Sequence, residues 1–523
     1  MNRRFNTSTA QASVRNAGRF YKWHFVFTNF TGPFTSIMKL RPFRFLPIVL
    51  SVFFLAGLGL LVSAWIAKPA PSTTPNVVLF FMDDLGYGDL SVTGALDYTT
   101  PNLDKIAAEG TRFTNFLAAQ AVCSASRAAL LTGCYPNRLG ISGALGPNSL
   151  IGLNPSEETL AELLKERGYA TGMFGKWHLG DNKQFLPLQQ GFDEYYGVPY
   201  SHDMWPLHPA QAQANYPALR WIDGNEPKQE IKNLEDAGKI TSTITERAVS
   251  FIRNHKKKPF FLYVPHPLPH VPLAASPAFM GKSARGIFGD VLMELDWSVG
   301  QIMNELKQQG VDKNTLVIFI SDNGPWLNYG DHAGSSGGFR EGKGTSFEGG
   351  HRVPCLVRWP GVVPAGRVSN KLLTALDILP TVAKVCGARL PKQRIDGVDW
   401  VTLLKGDDSV MPRDKFYYYY RKNSLEAVRQ GDWKLVFAHP GRTYEGFLPG
   451  QGGKPGPSTE THEFASALYD LRRDPGERYD VREQHPEVVS RLEKIAEEAR
   501  ADLGDELQKR TGANVREPGR IAQ

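Results

Sequence analysis

Cysteine is scarce in this chain. Four occur in 523 residues, Cys123, Cys134, Cys355 and Cys386, at spacings that fit neither a zinc site nor a disulfide-dense scaffold. Each must therefore be explained singly, and a Cys in an apolar setting is by default a small buried hydrophobe. Acidic residues are absent from residues 1–82, whereas residues 1–68 carry nine Lys or Arg. The formal net charge of +7 is therefore local, because the remainder holds 51 basic against 53 acidic residues. A near-neutral body argues against nucleic acid as a partner. No internal repeat of the kind that builds solenoids is present, and a composition 41% hydrophobic and 22% charged excludes a disordered or fibrous chain.

The apolar run Phe45 to Ala67, placed after a basic, acid-free start, has the form of a membrane-targeting segment, with cations held on the cytoplasmic side. An exported protein is expected, whether periplasmic, extracellular or membrane-anchored. As a helix of 23 residues the run is long enough to span a bilayer, while Val62-Ser63-Ala64 offers the small residues of a cleavage site. These features are compatible with both a retained anchor and a cleaved signal peptide. Met38 directly precedes the basic cluster Lys39–Arg44, so residues 1–37 read as an extension before the true start and 38–75 as targeting segment plus linker. The Pro-rich residues 68–75 form the linker.

From residue 76 onward, short β-branched and aromatic runs alternate with helix-like segments, the pattern of an α/β domain around a buried sheet. Strands are expected at Asn76–Met82, Ala170–Phe174, Phe260–Val264 and Leu316–Ile320. Helices are expected from a Ser156 cap through Glu166, with Gly168 beyond its end, and over Val291–Gln308. Past residue 405 the texture changes. A Tyr-rich run at Phe416–Tyr420, one strand at Glu426–Val436 and an amphipathic helix near Pro486–Leu503 predict a smaller domain of antiparallel strands plus a helix. The expected division is 76–405 and 406–523.

The residues immediately after each strand carry the chemistry. Asp83-Asp84, Gly175-Lys176-Trp177-His178, His266 with His270, and Asp322-Asn323-Gly324 each stand at a strand's carboxyl end, the edge of a parallel sheet where ligands bind. Asp83, Asp84, Asp322 and Asn323 are hard oxygen donors, suited to Ca²⁺ or Mg²⁺ rather than to a thiophilic metal. Taken one at a time, such pairs more often start turns; their repetition at several strand ends points to a metal site. Cys123 opens an Ala-rich, helix-like segment, which places it near a helix N-terminus, where anions are favoured. Trp205, Trp326 and Tyr329 lie in loops, where they either stack on a sugar or pack beneath the loop.

Cys123-Ser124-Ala125-Ser126-Arg127, followed by Ala128-Ala129-Leu130-Leu131-Thr132-Gly133, resembles the signature of type I sulfatases, in which the Cys is oxidised to formylglycine. Asp83-Asp84, Gly175-Lys176-Trp177-His178-Leu179-Gly180, Pro199-Tyr200-Ser201-His202-Asp203, Ser321-Asp322-Asn323-Gly324, Gly342-Lys343-Gly344-Thr345 and Leu468-Tyr469-Asp470-Leu471 resemble that family's blocks in the same order. The resemblance spans roughly residues 76–480 and is strongest to the arylsulfatase and N-acetylgalactosamine-6-sulfatase branch. One position departs from it: Ala125 stands where the modification motif usually has Pro.

The resemblance implies an alkaline-phosphatase-like α/β fold and a sulfuric ester hydrolase. It implies Ca²⁺, with Mg²⁺ as the alternative, held by Asp83, Asp84, Asp322, Asn323 and the modified Cys123. Cys123 as formylglycine would be the nucleophile, aided by Arg127; His178 would take the proton that expels sulfate, and His270 or Lys343 would protonate the leaving oxygen. Lys176, Ser201, His270 and Lys343 would bind the substrate. The implied partners are a formylglycine-generating enzyme during maturation and a sulfate ester, expected to be a sulfated saccharide chosen by the loops Trp205–Ile231 and Tyr444–Phe464. Two other readings stay open: a phosphodiesterase or phosphonate hydrolase of the same superfamily, and a silent binding protein in which Cys123 is unmodified.

Overall fold

The structure, a computed structural model, describes residues 74–208 and 215–521. The expected targeting segment, the extension before it and nearly all of the linker lie outside the described residues. Among the described residues no helix is long and apolar enough to cross a membrane.

Residues of β1 (Asn76–Met82) alternate between two apolar clusters: Val78, Phe80 and Met82 face one, Val77, Leu79 and Phe81 the other. Period-two alternation with both faces apolar is what a strand buried between two layers requires. The same holds for β8 (Thr315–Ser321), where Val317 and Phe319 oppose Leu316, Ile318 and Ile320. With β2 (Thr111–Phe113), β3 (Ala170–Lys176), β4 (Glu194–Val198), β5 (Arg220–Asp223), β6 (Glu226–Glu230), β7 (Phe260–Pro265), β9 (Cys355–Arg358) and β10 (Arg367–Ser369), they form a ten-stranded sheet ordered β10-β2-β9-β8-β1-β7-β3-β4-β5-β6. Its centre, β8-β1-β7-β3-β4, is parallel, and antiparallel pairs lie on both sides. Helices α1 (Pro101–Ala108), α4 (Ile240–His255) and α5 (Ile287–Gln308) cover one face; α2 (Cys123–Thr132), α3 (Leu160–Lys165) and α6 (Ile378–Val385) cover the other.

The expected α/β class with a large sheet and a smaller antiparallel C-terminal sheet is what the chain adopts, and the structure corrects details. Helix α3 starts at a Thr159–Glu162 capping box, not at Ser156, because Asn154 Oδ1 accepts the Ser156 N–H at 3.0 Å and holds that residue in a turn. The expected single strand Glu426–Val436 is a hairpin of β12 (Ser424–Gln430) and β13 (Trp433–Val436), broken at Gly431 with φ +58°. Residues 220–230, within Trp205–Ile231, form the β5–β6 hairpin rather than loop.

Strand β11 (Lys415–Tyr420), β12, β13 and β16 (Ala467–Asp470) form the antiparallel C-terminal sheet; β14 (His439–Thr443) and β15 (Thr459–Phe464) form a separate hairpin. Helix α7 (Pro486–Leu503) buries Val488, Leu492, Ile495, Ala496, Ala499 and Leu503, the apolar stripe of an amphipathic helix. These residues share one apolar cluster with Leu117, Ala119, Ala129, Tyr135 and Phe347, so the C-terminal sheet packs directly on the segments around α2 and residue 347.

A buried ionic network reinforces that seam. The Glu348 carboxylate meets Arg352 Nη2 at 2.5 Å, Tyr418 Oη at 2.6 Å, Arg429 Nη1 at 3.3 Å and Lys434 Nζ at 3.4 Å, and Lys434 reaches Glu477 at 2.7 Å. Burial would raise the Glu348 pKa, but Arg352, Lys434 and Arg429 outweigh it and hold the carboxyl well below its ordinary range. Removing one member strands the others in a dry interior. Lys434→Met is expected to destabilise the fold by about 3–5 kcal/mol, read as a lower urea midpoint; a loss under about 1 kcal/mol, the size of an exposed pair, would contradict the network's importance.

Candidate active site

The carboxyl ends of β8, β1, β7 and β3 are adjacent in the sheet, and the polar residues expected there converge. Asp83 and Asp84 follow Met82 directly, and Asp84 takes the left-handed conformation with φ +62°, turning the chain at the sheet's edge. Asp322 Oδ1 accepts the Asp84 N–H at 3.1 Å, and Asn323 Nδ2 donates to Asp84 Oδ1 at 2.7 Å. Asp83, Asp322 and Asn323 are fully buried.

Three carboxylates this close repel, and the chain sets three permanent cations among them. Arg127 Nη2 lies 2.8 Å from Asp322 and 3.4 Å from Asp83. Lys176 Nζ bonds Asp83 and donates to Ser201 Oγ at 2.9 Å, and Lys343 Nζ lies 2.8 Å from Asp84. Burial raises the Asp83 carboxyl, but Lys176 and Arg127 outweigh it and hold it well below the usual range. Asp322 is pushed up to about 7, by burial first and then by Asp83, against Arg127.

The donor chemistry fits a hard divalent cation. Asn323 Oδ1 is buried without a hydrogen-bond partner, a state that costs about 1–3 kcal/mol unless something fills it, and it stands beside the Asp carboxylates. Ligand atoms of Asp83, Asp84, Cys123 and His270 all lie within 4.8 Å of one another.

Cys123 is the first residue of α2, as the sequence predicts, and its Sγ donates to Asp83 Oδ1 at 3.4 Å. The helix terminus does not make it a thiolate. Burial and then Asp83 push the thiol well above its ordinary value.

His178, strained at φ +65°, donates from Nε2 to the Leu145 carbonyl at 2.8 Å, which leaves Nδ1 buried, unprotonated and unpartnered. Burial, Lys176 and Arg127 depress its pKa, so the ring is neutral. His270 gives its Nδ1 proton to the Val271 carbonyl at 2.5 Å and turns Nε2 to within 3.5 Å of Asp84 Oδ2.

Cys123, His178, Ser201, His270 and Lys343 line one cavity of about 240 Å³ with Trp326, whose ring lies 4.3 Å beneath Lys343 Nζ. Arg127, Lys176, Asp322 and Asn323 form the layer behind them. Of the loop aromatics, Trp205 and Tyr329 belong to the core, and His266 bonds Ser298 at 3.2 Å, away from the cavity. Tyr420 and Arg442, from the C-terminal part, also line the cavity. Nothing in a tyrosine run or a lone arginine after a Gly marked them out in sequence.

The sulfatase family pattern matches residues 75–388, and that of the C-terminal region of aryl-sulfatase matches residues 412–519. The chain is 38% identical over 476 residues to N-acetylgalactosamine-6-sulfatase of Mus musculus, covering 86% of this chain and 89% of the relative. It is 40% identical over 459 residues to arylsulfatase A of Homo sapiens, covering 83% and 89%. The crystal structure of Ps i-CgsB in complex with k-i-k-neocarrahexaose is similar at a TM-score of 0.69 and 29% identity, covering 82% of this chain and 92% of that one. A match over more than four-fifths of the chain, around a strand-end cluster of carboxylates, cations and one cysteine, makes the chain a member of the sulfatase family and a sulfuric ester hydrolase.

Proposed function

We propose that the chain hydrolyses sulfate esters of carbohydrates with Cys123 converted to formylglycine and a calcium ion held by Asp83, Asp84, Asp322, Asn323 and residue 123. The observation that carries this reading is the unpartnered Asn323 Oδ1 in a buried carboxylate cluster against which Cys123 Sγ rests. Calcium bound there would polarise the sulfate group and lower the cost of gathering the carboxylates. Formylglycine would supply a hydrated aldehyde, one hydroxyl of which displaces the alcohol from sulfur while the other lets sulfate leave by elimination, which a serine cannot do.

The chain's own residues do the rest. Arg127, fixed on Asp83 and Asp322, orients the start of α2 and offsets charge at residue 123. Lys176 Nζ and Ser201 Oγ, already hydrogen-bonded to each other, present donors to the sulfate oxygens. Burial would lower the Lys343 pKa, but Asp84 outweighs it and keeps the ammonium firmly protonated, a fixed positive charge over the group being transferred. His270 or Lys343 protonates the leaving oxygen; His270, whose Nδ1 proton is committed to Val271, does so only as the doubly protonated ring. His178, neutral with Nδ1 free, takes the proton that accompanies sulfate release.

The names of the similar proteins, an N-acetylgalactosamine-6-sulfatase and Ps i-CgsB in complex with k-i-k-neocarrahexaose, support a sulfated saccharide as substrate, as does Trp326 in the cavity wall. The basic start before Phe45–Ala67 supports export, with a formylglycine-generating enzyme acting during maturation.

Calcium added to chelator-treated protein is expected to raise the melting temperature by several degrees, since a ligand at about 100 times its Kd adds about 2.7 kcal/mol. Asn323→Ala should blunt that rise. No shift in the unsubstituted protein would reject the metal assignment. His178→Ala is expected to lower kcat for an aryl sulfate by about 10²–10⁴-fold while the calcium-dependent rise persists; a kcat within about threefold of the parent would remove His178 from the proton transfer.

A further inference from the structure

Arg442 stands in β14 with its side chain 18% exposed and lines the same cavity as Cys123 and His178. Its Nε bonds Glu460 on the neighbouring strand β15, and Nη1 lies 3.3 Å from Tyr444 Oη and 3.5 Å from the Lys343 carbonyl. Nη2 has no hydrogen-bond partner among the described residues. Glu460 also carries Arg421, at 3.0 Å, so two guanidiniums share that carboxylate, with Glu426 the next acid toward Arg421. The Tyr420 hydroxyl, at the end of β11, likewise lines the cavity and makes no hydrogen bond among the described residues.

Room for this pair is built into the backbone. Gly344, at φ +81°, would with a Cβ meet Arg442 Nη1 at 2.6 Å and Tyr420 Oη at 3.0 Å. Only a glycine lets the turn that carries Lys343 adopt this conformation and pass so close to the guanidinium. Holding that turn is not enough to explain Arg442, because the Lys343 carbonyl already accepts a 2.5 Å bond from Tyr444 Oη, far shorter than the approach of Arg442. None of the bonds made by Arg442 reaches Asp83, Asp84, Asp322 or Asn323, where the scissile sulfate would sit.

We propose that Arg442 and the Tyr420 hydroxyl recognise a second anionic group on the substrate, a sulfate or a carboxylate, so that the enzyme selects sulfated sugars bearing at least one further negative charge. The inference rests on the reading of the site as a sulfate-ester hydrolase. A planar guanidinium with a free Nη beside a hydroxyl donor matches either oxyanion.

The test compares kcat/KM of the modified enzyme, Arg442→Gln and Tyr420→Phe on a monosulfated hexosamine, the same sugar with a second sulfate, and a monosulfated disaccharide containing a uronic acid. The unsubstituted enzyme is expected to prefer one of the dianionic substrates over the monosulfated sugar by at least about tenfold, near 1.4 kcal/mol, and the preferred arm identifies the group as sulfate or carboxylate. Arg442→Gln should reduce that ratio at least about tenfold, and Tyr420→Phe, which touches no bond to Lys343, should reduce it less. An equal fall on all three substrates, as a merely structural role would give, overturns the inference, as does an unsubstituted enzyme without preference. Failure of the unsubstituted enzyme to hydrolyse any of them overturns the functional reading itself.

Discussion

Three carboxylates gathered at the carboxyl edge of a buried sheet, and the cations set against them, are the constraint on which the rest of this structure depends. Asp83, Asp84 and Asp322 stand together because β1 and β8 are parallel neighbours that end in register, Met82 opposite Ser321. Arg127 joins them from α2, Lys176 from the end of β3 and Lys343 from a turn after β8. Charges of this density, taken out of water, are tolerable only if paired and hydrogen-bonded. Each cation therefore fixes the element it comes from as much as it serves the chemistry. The arrangement still leaves Asn323 Oδ1 without a partner, a place that the proposed divalent cation would fill.

The same balance bears on the nucleophile. A helix N-terminus ordinarily lowers a cysteine's pKa, yet beside Asp83 and out of water the Cys123 thiol is driven the other way. A site that discourages thiolate makes sense if the thiol is not the working group. The proposed oxidation to an aldehyde would exchange an ionisation that the pocket opposes for a hydrated carbonyl with two hydroxyls, neither of which must be charged before it enters.

Much of this was legible in the sequence because parallel strands are short, strongly apolar and followed at once by the residues they present. Asn76–Met82 with its two aspartates and Leu316–Ile320 with Asp322-Asn323 read correctly for that reason. Errors arose where local chemistry competed: Asn154 held Ser156 in a turn, and Gly431 split what looked like one strand. Trp205 and Tyr329 went into the core, since an aromatic in a loop carries no mark of the side it faces. Arg442 and Tyr420 were beyond reach, because their place in the cavity comes from packing the β14–β15 hairpin and the C-terminal sheet against α2 and the Gly342–Thr345 turn, a contact between segments far apart in the chain.

The central claim is that Cys123 works only after conversion to formylglycine, and Ala125, where the modification motif usually has Pro, makes the conversion worth measuring directly. Mass spectrometry of the peptide spanning Cys123, from protein produced with and without a formylglycine-generating enzyme, reads it out. Replacement of the thiol by an aldehyde removes about 18 Da, unlike any step of ordinary cysteine oxidation. The account predicts that loss in the co-produced protein, with sulfatase activity rising in proportion to the converted fraction; an intact thiol under both conditions, or activity independent of conversion, would contradict it.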